Sequence, residues 1–193
     1  MRILLLGIFL LTLFNCASNK KKPLSFTDHD SFNQIKSCTG RGSISSVGSF
    51  SGRLSFNFIS QNDSLFCQLQ DFLGRKVLLL WLTPLSIDAW NLIDNKKYNY
   101  SNINGILPIL SVLNPEHLIK FMCGRGITLN DINAPSKAGI EIRFRKKNQD
   151  NIKVDEVVFV DKLKRQQLSI KIASRVFNND YLNLKKYWDM ILN

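Results

Sequence analysis

Apolar and polar residues alternate along much of this chain, and the alternation predicts a β-rich protein. Leu54, Phe56 and Phe58 alternate with Ser55, Asn57 and Ile59, a strand with one strongly apolar face. Asn62-Asp63-Ser64 is a turn signal, and residues 65–69 follow as a second strand. Asp71-Phe72-Leu73-Gly74-Arg75 breaks the pattern before an apolar, strand-forming run at 76–82. Thr83-Pro84 interrupts that run, and residues 87–93 and 97–100 predict a further hairpin around Asp94-Asn95.

The spacing then becomes helical. Leu107, Leu110 and Leu113, then Leu118, Ile119 and Met122, predict two short helices, the second with Asn114 as N-cap and Pro115 at its first position. Gly124-Arg125-Gly126 stops them. Alternation returns with Ile140, Ile142 and Phe144, with residues 154–160, and with Leu168, Ile170 and Ile172, each between polar or charged residues, as in a sheet with one wet face. Residues 24–37 suit a short helix, and 181–192 suit either a strand or an amphipathic helix. The economical fold is mainly β (α+β): one antiparallel sheet whose apolar face is covered by helices.

The first residues follow another rule. One charge, Arg2, precedes a continuous apolar run that ends at Leu13-Phe14-Asn15-Cys16. This is the layout of a secretory signal peptide, and the run is short for a membrane span. Leu-x-x-Cys resembles the lipobox of bacterial lipoproteins, in which the cysteine sulfur carries a diacylglycerol and the peptide is cut before it. Asn15 departs from the usual Gly, Ala or Ser. The alternative is an ordinary secretory peptide or an anchoring helix with an incidental cysteine. The expected division is residues 1–15 as signal peptide, 16–36 as anchor, tether and possible short helix, and 37–193 as one domain with a helical lid near 106–123.

Composition adds a bias in charge. The chain carries +11 with both signs scattered, which excludes a nucleic-acid stripe and suits anionic headgroups, an acidic partner or plain solubility. Thirteen Phe supply a real core. Beyond Cys16 there are Cys38, Cys67 and Cys123, so at most one internal disulfide can form. With no CxxC and with His29 and His117 far apart, no metal site and no cofactor are expected. There is no Gly-x-Ser-x-Gly, His-Glu-x-x-His or phosphate loop, so no catalytic residues are assigned and an enzyme is not expected.

Three further stretches resemble the LolA/LolB-like lipoprotein-localisation family. Gly40-Arg41-Gly42-Ser43-Ile44 precedes the first predicted strand, as in the family's Arg-Gly start. Phe72-Leu73-Gly74 stands where the family has Pro-Leu-Gly. Leu118-Ile119-Lys120-Phe121-Met122-Cys123-Gly124 is similar to its Leu-x-x-Trp-x-x-Gly. The resemblance covers about residues 37–126, with Phe72 for Pro and Phe121 for Trp. It implies a curved, incomplete antiparallel barrel under a helical lid, enclosing a cavity for the acyl chains of lipoproteins in transit. Such a protein sits in the outer membrane facing the periplasm, takes its cargo from a LolA-like carrier, and makes or breaks no bond.

On that resemblance the cavity is expected to be lined by Leu54, Phe56, Phe58, Leu69, Leu107, Leu110, Leu118, Phe121, Ile142 and Phe144, though each alone suits an ordinary core. Phe72, Leu73 and Gly74 are expected to form a loop that enters the membrane. The local reason is that Asp71 and Gly74 bracket two large apolar residues at a break in the strand pattern. The alternative is a turn whose Leu73 folds back into the core. The implied partners are membrane lipid through acylated Cys16 and the acyl chains of lipoproteins. A rival reading is an envelope lipoprotein that carries another amphiphile or acts as a non-catalytic scaffold.

Overall fold

The computed structural model describes residues 35–48, 51–99, 102, 114–125, 140–145 and 154–192. Nine strands form one antiparallel sheet: β1 (Ser37–Val47), β2 (Gly52–Gln61), β3 (Ser64–Gln70), β4 (Lys76–Leu82), β5 (Ile87–Asn91), β6 (Lys96–Asn99), β7 (Ile140–Arg145), β8 (Glu156–Asp161) and β9 (Gln166–Asn178). Two helices are described, α1 (Pro115–Met122) and α2 (Lys185–Leu192). The spatial order is β6-β5-β4-β3-β2-β1-β9-β8-β7, so the last strands fold back onto the outer side of β1. The sheet does not close into a barrel; β6 and β7 are its edges. It curls nevertheless, because Ile87 and Ala89 on one flank share a core cluster with Val157 and Phe159 on the other.

Period-two alternation explains which residues fill that core. Phe56 pairs with Leu69 and Phe58 with Cys67 across β2 and β3. Cys67 pairs with Leu80 and Leu65 with Leu82 across β3 and β4. All of these are buried on the inner face. Burying one such Phe or Leu is worth about 1.5–3 kcal/mol. The run Val77–Leu82 is unbroken because β4 is buried on both faces. Leu78, Leu80 and Leu82 point inward, while Leu79 and Trp81 form an outer cluster with Phe66. Helix α2 covers that outer patch, with Tyr187 stacked on Phe66 at 4.7 Å and Trp188 edge-on to Trp81 at 4.7 Å.

Three expectations are corrected. The first strand is not at Leu54: Gly40-Arg41-Gly42 lies inside β1, between β2 and β9. Small residues suit this place, because a Cβ on Gly40 would overlap the ring of Phe58 and one on Gly42 the ring of Phe56. The aromatic mass of the core therefore leans over β1, and a bulge opposite Arg41/Gly42 bends the strand there. Secondly, residues 35–37 are not helical; they lead straight into β1. Residues 24–34 lie outside the described residues, as do the signal peptide, Cys16 and the first helix expected near 106–113. Thirdly, the open choice at 181–192 resolves to a helix from Lys185.

Candidate functional site

Antiparallel pairing puts the β1–β2, β3–β4, β5–β6 and β8–β9 turns at one end of the sheet, here the upper end. The β2–β3 and β4–β5 turns lie at the lower end. The β3–β4 turn is Asp71–Arg75. Asp71 Oδ1 accepts the amides of Leu73 and Arg75, each at 2.9 Å, and its Oδ2 takes Arg75 Nε at 2.7 Å. Gly74 supplies the left-handed residue, φ +80°, that the reversal needs. The turn is thus built by polar bonds alone, and its apolar side chains are left over. Phe72 is 88% exposed and Leu73 64% exposed. Leu73 does not fold back into the core.

Helix α1 covers the inner face. Asn114 caps it by accepting the His117 amide at 2.8 Å, and Pro115 fills the first position. Leu118, Ile119, Phe121 and Met122 are buried, while Glu116 and Lys120 pair on the wet side at 2.7 Å. A clamp from β9 fixes its C-terminal end. Arg175 donates to the carbonyls of Met122 (2.8 Å), Phe121 (3.0 Å) and Val154 (2.7 Å), and pairs with Asp155 at 2.6 Å. Its side chain is only 6% exposed. Sequence reasoning passed over Arg175. The sequence signal was faint, because β9 mixes polar and apolar residues and Arg175 stands out only by what it touches.

The structure brings together Leu54, Phe56, Phe58, Leu69, Leu118, Phe121, Ile142 and Phe144 in or against one inner cluster. Leu107 and Leu110 lie outside the described residues. Between α1 and the sheet remains a void of about 30 Å³, walled by Leu65, Leu69, Leu80, Leu118, Met122 and Ile170 with no polar surface. Pockets that hold drug-sized ligands run to roughly 300–1,000 Å³. The inner face is therefore apolar except for Ser60 and Arg175 at its lower end and, with α1 docked, packed.

A larger depression, about 600 Å³, lies at the lower end between Lys36, Asp63, Arg125 and Tyr181. It is open and polar, and the Arg125–Asp63 pair at 3.1 Å crosses it. No apolar wall converges there, so it is surface relief. Among the described residues no group of three or more His, Cys, Asp or Glu side chains could hold a metal. No described helix is long and apolar enough to cross a membrane.

The three cysteines of the domain are buried free thiols. Burial pushes Cys67 far above the ordinary thiol range. Cys123 shifts down, because a hydrogen bond from Cys38 outweighs its burial, with help from Ser60 and the nearby guanidinium groups. Neither faces a cleft in which a substrate could sit.

The chain matches no known family and no curated protein. The arrangement described above must therefore carry the functional reading by itself.

Proposed function

We propose that this protein is a non-catalytic envelope lipoprotein, anchored through Cys16 in the outer membrane and facing the periplasm. It shelters an acyl chain on its apolar inner face and helps place lipoproteins in the bilayer. One observation carries the reading: a turn built by polar bonds holds Phe72 and Leu73 in water beside a sheet whose inner face is apolar at that end. Soluble domains rarely hold two adjacent large apolar side chains at a loop tip without a membrane or partner to receive them. The packed inner face sets the condition for cargo. An acyl chain gains about 0.8 kcal/mol per buried methylene, and it enters only where α1 swings off the sheet.

The packing also favours a second reading, an assembly or scaffold lipoprotein that binds no chain. Transfer of a fluorescent lipopeptide from the protein to vesicles separates the two. On the first reading the wild type binds and releases the probe. Leu73→Glu abolishes release while moving stability by no more than about 0.5 kcal/mol, as for other exposed sites. Absence of probe binding by the wild type selects the scaffold. A strongly destabilised Leu73→Glu protein sinks the membrane-wedge role.

A further inference from the structure

The exposed pair at Phe72-Leu73 has counterparts. Other hairpin ends on the upper side also carry a large apolar side chain in solvent: Val47 (62% exposed), the last residue of β1, Ile93 (73%) in the β5–β6 turn and Leu163 (79%) in the β8–β9 turn. Three turns and one strand end from distant parts of the sequence converge on this feature because the antiparallel order delivers them to one rim. At the lower end the β2–β3 turn is Asn62-Asp63, and Leu85 of the β4–β5 turn is the one comparably exposed apolar side chain in a described turn, with Tyr181 (61%) exposed beyond the end of β9.

Cations stand immediately behind the tips. Arg75 and Lys76 follow Phe72-Leu73, Lys96 and Lys97 follow Ile93, and Lys164 and Arg165 follow Leu163; all six are exposed. The acidic neighbours are occupied within their own turns. Asp71 holds Arg75 and two amides, Asp94 takes the Asn91 side chain at 3.0 Å, and Asp161 accepts the Lys164 amide at 2.9 Å. Glu141 on β7 is shared between Arg143 and Lys162.

We propose that this rim docks as one surface on a bilayer rich in anionic phospholipid. Phe72-Leu73, Ile93, Leu163 and Val47 enter the interface, and the lysines and arginines lie at headgroup level. The proposal rests on reading the Asp71–Arg75 turn as a membrane contact and extends that contact to two more turns and the end of β1. Charge chooses the partner. Protein interface cores are depleted in Lys, whereas here Lys is interleaved with every basic tip. Separate apolar points backed by cations match the depth profile of a lipid interface. The chain length permits the docked pose. β1 starts at the lower end and runs about 36 Å to the rim. The residues between Cys16 and Ser37 can span at most about 70 Å, so the anchor reaches the bilayer that the rim faces.

Hydrogen–deuterium exchange of the protein isolated from cells tests this. It is mixed with vesicles of equimolar phosphatidylcholine and phosphatidylglycerol and, in parallel, of phosphatidylcholine alone. The expected result is exchange at least about fivefold slower in residues 71–75, 92–95 and 162–165 on the anionic vesicles, with the turn at 83–86 unchanged. Leu163→Asp and Lys164→Ala, both at exposed positions, should each weaken that protection by about fivefold, the factor expected for one basic residue at such a surface. Leu85→Asp should leave it unchanged. Slowing confined to 71–75 overturns the shared rim surface and leaves the Phe72-Leu73 contact standing. No slowing at any turn overturns both. Equal slowing on phosphatidylcholine alone overturns the anionic partner.

Discussion

Arg175 and Asp71 do similar work at opposite ends of the sheet. Each is one charged side chain that gathers backbone groups and one opposite charge. Arg175 takes three carbonyls and Asp155 at 2.6–3.0 Å. Asp71 takes two amides and Arg75 at 2.7–2.9 Å. The bond lengths do not distinguish them; the surroundings do. Arg175 is shut in beneath α1 with its side chain 6% exposed, whereas Arg75 is 72% exposed. If the Arg175 bonds were lost, the carbonyls at the end of α1 would be left without their donor. At the Asp71 turn the cation already stands in water, which can replace its bond. The lower hub therefore holds the fold together, and the upper one only shapes a turn.

The largest way to break this contrast is Arg175→Ala. It should cost about 3–5 kcal/mol, because it removes the buried member of an ion pair and leaves the carbonyls of Phe121, Met122 and Val154 without their donor. Chemical denaturation measures the loss. A change below about 1 kcal/mol, within the range of surface pairs, would erase the distinction between the two ends.

A second, intermediate effect reads the core through Cys67. Its thiol is raised by burial above the ordinary value of 9.0. A raised folded value means that its contribution to stability is complete below pH 9.0 and declines as the pH climbs through the interval up to the folded value. The unfolded chain releases the proton there and the folded chain does not. The slope is about 1.4 kcal/mol per pH unit. Cys67→Ala should be less stable at neutral pH yet lose that alkaline decline. Parallel pH profiles for the two proteins would show that the thiol is not sealed in the core.

The smallest effect is local to the rim. Desolvation works to raise the Asp71 carboxyl, but its hydrogen bonds from Arg75 and from the Leu73 and Arg75 amides outweigh it and hold it below the ordinary carboxylate value. The order this lends the turn is present above the ordinary carboxylate range and is lost as pH falls through the lowered value. Amide exchange at Leu73 and Arg75, corrected for its intrinsic pH dependence, should accelerate on acidification, with only a small fall in melting temperature from this group. A large loss of global stability in step with the turn would show that the rim is part of the core after all.

How legible this was depended on whether a residue's neighbours in sequence explain it. β2 and β3 could be read because Phe56, Phe58, Leu65 and Leu69 recur at every second or fourth position, and β4 because its unbroken apolar run suits a strand buried on both faces. The exposed Leu73 could be expected because Asp71 and Gly74 lie beside it. β1 could not. Its glycines and serines look like a loop, and only the rings of Phe56 and Phe58 lying across it explain them. α2 stayed ambiguous because its aromatic residues answer Phe66 and Trp81 far back in the chain. Ile93 reads in sequence as the end of the segment 87–93, and nothing beside Leu163 singles it out. Their common rim exists only once the strand order is known.

The position of β1 has a consequence for how the molecule comes into being. β2 to β6 are linked by hairpins of consecutive strands, so that half can assemble from contacts close in sequence. β1 lies between β2 and β9, and the Arg175 clamp on α1 comes from β9 as well. The central seam of the sheet and the fastening of its cover therefore wait for β9, far along the chain from β1. Pairings so distant in sequence form slowly, because loop closure must come before the contacts that reward it. A chain still emerging from a ribosome or threading through a translocation pore, with β9 not yet through, has no seam and no clamp. It stays open and threadable until β9 arrives.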